Sequence, residues 1–282
     1  MNDTLENSNC GIIIPIYKTE LTKYEIASLK QCCKILRKHA LIFVTHKYLN
    51  CSIYNNICSD FNIIMKYEYF HKKYFNDISG YNALLLSKCF YKRFIDYSYI
   101  LIYQLDAYVF KDELEYWCKK GYDYIGAPWL KLNKLEPSVY FQDSPNVGNG
   151  GFSLRKTKIF IEKLNPKLCF LISLFIPYYN NISLKYSRNI FTIFLRFLLS
   201  FFLKLIRFIL IKYRYLDNNE DNIWAYLLYK DGNIPSPHEA SRFSFEEFPD
   251  YLYKMNNNEL PFGCHSWFTY QNFIFYRNHI CL

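Results

Sequence analysis

Four short stretches hold the side chains best placed to do chemistry. Asp106 stands in Tyr-Gln-Leu-Asp-Ala-Tyr-Val-Phe, one carboxylate inside the long apolar run Tyr99–Phe110. Gly148, Gly150 and Gly151 crowd around Asn149 and lead into Phe-Ser-Leu-Arg155. Glu220 and Asp221 sit in Asn-Asn-Glu-Asp-Asn-Ile-Trp224, and His265 in Pro-Phe-Gly-Cys-His-Ser-Trp267. Each stretch has a chemical reading and a plain one. An acid just past a strand of an open α/β sheet lies where ligands bind, or it caps a turn. Dense glycines let a ligand approach the backbone, supply a φ > 0 turn, or mark a bulge. Adjacent carboxylates at a helix start are also favoured by the helix dipole. A histidine in a turn is either a ligand or a satisfied structural residue.

The elements that must hold these residues follow from hydrophobic periodicity. Tyr99–Phe110, rich in Ile, Val and Tyr, reads as a strand covered on both faces. Gly11–Tyr17 suits a first strand that delivers Tyr17 to a ligand edge. Thr22-Lys23-Tyr24-Glu25 has capping-box spacing, and Ile26, Leu29, Cys33 and Leu36 continue it as a helix. Ala40–Thr45 and Asn62–Tyr67 read as further strands, Tyr81–Phe94 and Lys111–Lys120 as helices, and Tyr122–Pro128 as another strand. Leu130–Asn146 reads as an irregular loop. Strands alternating with helices predict an α/β fold with a mostly parallel sheet, and 282 residues suffice for a single domain.

The net charge of +9 is local. Residues 168–216 carry seven Lys and Arg and no acid, and the rest of the chain holds 27 basic against 25 acidic residues. Within that segment Asn189–Ile211 places Asn189, Thr192, Arg196, Ser200 and Arg207 in a narrow helical sector, with Phe, Leu and Ile almost everywhere else. Such a face belongs in a core or in lipid. The expectation is a basic amphipathic insertion that lies in an anionic membrane surface. Nucleic acid is not an expected partner, because binders of it spread Lys and Arg over polar surface. Ten cysteines without a CxxC pair or zinc spacing, and an N-terminus unlike a secretory signal, predict a reduced, cytoplasmic protein peripheral to the inner membrane face.

Taken together, the four motifs, with Ile-Pro-Ile-Tyr17 and Tyr-Ile-Gly-Ala-Pro-Trp129, resemble a domain-of-unknown-function family. Its members are glycosyltransferase-like and occur among surface-polysaccharide genes. The similarity runs from Ile12 to Trp267 and leaves out most of the basic apolar segment. More distantly the order is similar to the GT-A nucleotide-sugar transferases. That resemblance implies a GT-A-like sheet and a nucleotide-sugar donor. It also implies a Mn²⁺ or Mg²⁺ ion held by Asp106 and His265, although Tyr108 stands where Asp-x-Asp has its second acid. Asn149, Gly150 and Gly151 would line donor and acceptor, and Tyr17, Lys88, Arg93 and Arg155 are further donor-site candidates, the three cations for phosphate. Glu220-Asp221 resembles the pair in which one carboxylate is general base; Asp221 is preferred for that role.

The implied activity is transfer of a sugar, of hexosyltransferase type, from a nucleotide-sugar to a lipid-linked or surface glycan such as lipopolysaccharide, O-antigen or capsule. A catalytically silent sugar- or nucleotide-binding module is the alternative, motivated by Tyr108. A nucleotidyltransferase shares the sheet and metal logic but finds no specific motif here.

Overall fold

The computed structural model describes residues 9–133, 138–143, 145–164 and 219–280. Strands and helices alternate from the start: β1 (Cys10–Pro15), α1 (Lys23–Ile35), β2 (Ala40–Thr45), α2 (Ser52–Ser59) and β3 (Lys66–Tyr69). Two short helices, α3 (Ile78–Leu85) and α4 (Lys88–Lys92), then lead to β4 (Tyr99–Tyr103). With β6 (Tyr124–Ile125) and β9 (Phe152–Lys156) these strands form one sheet in the order β3-β2-β1-β4-β9-β6. Neighbours from β3 to β4 are parallel, and β9 runs antiparallel to both β4 and β6. The expected mostly parallel sheet is therefore present. From β1 the chain steps outward through β2 to β3, then returns to the other side of β1 as β4. Strand order reverses between β1 and β4, and a crevice opens beyond their carboxyl ends.

Both faces of the sheet are covered, which explains the near-continuous apolar runs. Ile12, Ile14, Leu101 and Tyr103 pack into a layer with Leu29, Tyr54 and Trp117. Ile13, Ile100 and Ile102 pack oppositely, against Leu84, Phe90 and Trp224. The helix α1 begins with the expected capping box: the Glu25 N–H donates to Thr22 Oγ1 at 3.2 Å, and the Thr22 N–H donates to Glu25 Oε2 at 2.9 Å.

The structure corrects several sequence expectations. The central strand ends at Tyr103; the chain turns at 104–107 and enters β5 (Tyr108–Val109) in a different sheet. That sheet has three short strands in the order β10 (Ser244–Phe245), β11 (Gly263–Cys264), β5. The helix expected over Tyr81–Phe94 is two helices, because Ser87 takes an extended conformation and caps α4 by accepting from the Phe90 N–H. The third strand starts at Lys66 rather than Asn62, which sits in a turn with positive φ. The helix after β5 is shorter than expected, α5 (Leu114–Lys119), and Tyr122–Pro128 contributes only two strand residues, β6. Leu130–Asn146 contains a paired β7 (Leu130–Leu132) and β8 (Val139–Phe141) rather than only loop. The basic segment 168–216, with its amphipathic helix, lies outside the described residues. Among the described residues, no helix is long and apolar enough to cross a membrane.

Candidate active site

Two sheets aim matching strand ends at one cavity of about 690 Å³. From the large sheet, the carboxyl end of β1 brings Tyr17 and Lys18, and that of β4 brings Gln104 and Asp106. The antiparallel β9 contributes from its amino end, so Asn149, Gly150 and Gly151 line the same space. From the small sheet, Glu246 follows β10, His265 follows β11, and Asp106 precedes the antiparallel β5. All three side chains therefore leave that sheet by one edge. The helix Glu220–Tyr229 adds its first turn, with Asn219, Glu220 and Asp221 on the wall.

His265 is held between two carboxylates. Its Nε2 lies 3.1 Å from Asp106 Oδ1 and 3.2 Å from Gln104 Oε1, while Nδ1 lies 2.9 Å from Glu246 Oε1. Burial pulls the imidazole toward neutrality, but Asp106 and Glu246 outweigh it and hold the His265 pKa well above the ordinary value. Burial likewise pushes the Asp106 carboxyl up; the charge and hydrogen bond of His265 prevail and hold it below the usual range. Gly151 is required by this packing, since a Cβ there would overlap the His265 ring.

Arg155 and Glu220 form the second cluster. The guanidinium is fully buried and forks onto the carboxylate, Nη2 to Oε1 at 2.7 Å and Nη1 to Oε2 at 3.0 Å. Nε donates to Ser153 Oγ at 3.0 Å, Nη1 also donates to Tyr91 Oη at 2.9 Å, and the ring of Tyr124 lies 5.5 Å from the guanidinium carbon. Burial opposes the charge on both partners, and their mutual attraction keeps Arg155 ionised. A Cβ on Gly150 would come within 2.5 Å of Glu220 Oε1, so this glycine makes room for the pair. Next to the pair, Asp221 is oriented by backbone: Oδ1 accepts from the Asn222 N–H at 2.8 Å and Oδ2 from the Gly150 N–H at 3.3 Å. Burial pushes its carboxyl above the usual range despite those donors.

The expected residues divide accordingly. Tyr17, Asp106, Asn149, Gly150, Gly151, Glu220, Asp221 and His265 share the cavity. Lys88 and Arg93 do not reach it; Arg93 pairs with Glu68 at 2.7 Å on the outer surface. Arg155 does not line the cavity either, and its charge is committed to Glu220. Among the described residues, the basic ones on the wall are His265 and Lys18, and Lys18 pairs with the capping-box carboxylate Glu25. Lys18 and Glu246 carry no sequence signal that sets them apart from other surface charges. Tyr108, at the position of the missing second acid, packs against Trp267 in the core of the small sheet.

Among the described residues, no three His, Cys, Asp or Glu side chains converge on a metal position. Asp106 and His265 do present two donors to one point, with Glu246 fixing the imidazole from behind as outer partners of metal-bound histidines do. One or two protein ligands completed by phosphate oxygens suit Mg²⁺ or Mn²⁺. The donor set fits such an ion together with a bound diphosphate.

Removing one partner of a buried ion pair strands the other charge. Arg155→Met is expected to lower the unfolding free energy by about 3–5 kcal/mol in urea denaturation. Unchanged stability with weakened anion binding would instead return Arg155 to a ligand role.

Comparison with known proteins bears on the fold. Mouse xyloside xylosyltransferase 1 superposes with a TM-score of 0.50 at 10% identity, over 90% of this chain and 96% of that one. GlyE, a glycosyltransferase of Streptococcus pneumoniae TIGR4, gives 0.46 at 11% identity over 92% of this chain and 55% of its own. Core-mannan synthase A of Aspergillus fumigatus, in a Mn/GDP form, gives 0.42 at 11% identity over 61% of this chain and 66% of its own. The xylosyltransferase likeness is one of fold alone: a mixed α/β architecture with a mostly parallel sheet, shared with a GT-A glycosyltransferase. Sequence comparison with curated proteins returns no match. Residues 64–265 match the family described as "Protein of unknown function (DUF5672)", a span that takes in Asp106, the glycine turn, Glu220-Asp221 and His265, and the chain belongs to that family.

Proposed function

We propose that the protein is a glycosyltransferase that moves a sugar from a nucleotide-sugar donor to a hydroxyl of a lipid-linked or surface glycan. One observation carries the reading. A single cavity at the β1/β4 reversal joins the Asp106–His265 pair, a lysine and a desolvated, backbone-oriented carboxylate, Asp221. Lys18 supplies positive charge for the donor diphosphate, and His265 does so as an imidazolium. A divalent cation held by Asp106 and His265 would take the place of the imidazole proton and neutralise the charge that develops on the leaving diphosphate. Tyr17, more than half exposed at the cavity rim, offers a face for stacking the nucleobase.

Across the cavity, Asp221 takes the proton from the acceptor hydroxyl as that oxygen attacks the anomeric carbon. Its raised pKa strengthens it as a base, and its two backbone donors fix its direction. Glu220 is unsuited to that role because both of its oxygens are bound to Arg155. It positions Asp221 instead.

The silent-module reading draws on Tyr108, which leaves Asp106 as the single acid of the motif. Donor binding without transfer or hydrolysis, across a broad acceptor panel, would establish it. The membrane-associated acceptor rests on the basic apolar segment 168–216.

Asp221→Asn is expected to lower kcat by about 10²–10⁴-fold with the fold intact. In the native enzyme, kcat/KM should rise with pH through a pKa above the ordinary aspartate range, and this acidic limb should vanish in the variant. A native pH profile without that limb would remove Asp221 as the base. In thermal melts, a nucleoside diphosphate at a hundredfold excess over its Kd is expected to stabilise by about 2.7 kcal/mol. Chelator should reduce this gain, and Asp106→Asn should abolish its metal-dependent part. Finally, deleting residues 189–211 should release the protein from anionic liposomes in a flotation assay; persistent binding would overturn the membrane reading.

A further inference from the structure

Two thiols from neighbouring helices meet on one face of the large sheet. Cys33, near the end of α1, and Cys58, near the end of α2, bring their Sγ atoms to 3.6 Å, and both side chains are fully buried in the same apolar layer. They stand 25 residues apart in sequence, so the packing of the two helices makes the contact. One thiol hydrogen-bonds the other. That bond holds the Cys58 thiol below its ordinary value although burial opposes it, and the same bond, with burial, pushes Cys33 up. The thiol that gives up its proton more readily is the attacking partner in disulfide exchange.

The same two helices hold a residue of the cavity. Glu25, in the first turn of α1, pairs with the Lys18 ammonium, and Tyr54, in the first turn of α2, donates to the Lys18 carbonyl oxygen at 2.7 Å. Lys18, Glu25 and Tyr54 all line the cavity. A tie between Cys33 and Cys58 would sit about two helical turns from Glu25 and about one from Tyr54.

We propose that Cys33 and Cys58 are a redox pair that closes to a disulfide and fastens α1 to α2 behind the cavity lysine. With a small-molecule disulfide such as oxidised glutathione as oxidant, the Cys58 thiolate attacks one glutathione sulfur and expels the other glutathione as its thiolate. The Cys33 thiol then loses its proton and attacks the Cys58 sulfur of the mixed disulfide, expelling the second glutathione. The two cysteines lose two electrons and two protons, and one glutathione disulfide becomes two glutathione thiols. Because both sulfurs are buried, exchange follows local opening of the short helix α2 and lags behind that of the exposed Cys89.

The test treats the folded full chain with oxidised glutathione, blocks free thiols with N-ethylmaleimide, and assigns each linked sulfur by tandem mass spectrometry of a non-reducing digest. A peptide pair joined through Cys33 and Cys58 is expected, lighter than the two reduced peptides by two hydrogens and released by dithiothreitol. In urea, the oxidised chain should unfold at a higher midpoint than the reduced one, since the link restricts the unfolded state. Cys32→Ala should keep both results, and Cys33→Ala should lose both. If Cys89 carries glutathione while Cys33 and Cys58 stay as thiols in the folded chain, the proposal fails. A link through Cys32 instead of Cys33, or a midpoint unmoved or lowered by oxidation, would overturn it as well.

Discussion

The buried fork between Arg155 and Glu220 is the interaction on which the site depends. It links β9 to the first turn of a helix 65 residues further along the chain. Each charge is tolerable inside only because the other is there. Gly150 has no side chain because the fork occupies that space. Asp221 is then placed by default, since its neighbour in sequence is fixed and Gly150 offers it an N–H. The carboxylate with no ion-pair partner is thus aimed by a neighbour on the same wall whose oxygens are both engaged by Arg155.

His265 shows a complementary use of charge. An imidazole between two carboxylates remains protonated despite burial, and it lowers the Asp106 pKa while doing so. The ring cannot rotate without losing a partner on one side. Lys18 adds a further cation whose counter-ion, Glu25, also begins α1. Both cations on the described wall are therefore held in place by carboxylates before any ligand binds, so they need little reorganisation to meet one.

Much of this was legible in the sequence because it is local. Thr22 and Glu25 are three residues apart, and their capping box is formed. Asp106 and His265 stand beside turn residues at the ends of apolar runs, and both reach the cavity. What escaped depends on distant pairings. Arg155 looks like a free cation until Glu220 meets it. Glu246 in Phe-Ser-Phe-Glu-Glu-Phe has no distinguishing pattern, yet it orients a histidine 19 residues later. Lys88 and Arg93 lie on a helical segment whose register does not say which face turns toward the cavity. The β7–β8 pair was hidden because a short pairing in a polar stretch lacks the alternation that marks a half-buried strand.

The departure of the chain from the large sheet at Tyr103 has a mechanical meaning. Gln104–Ala107 is a seam: one side is the last residue of β4, the other the first of β5, and the two strands belong to different sheets. The His265 and Glu246 side chains come from the small sheet, the Lys18 and Asn149 side chains from the large one. A ligand that touched both groups would act as a staple across the joint, tying two β-layers together as well as filling a cavity.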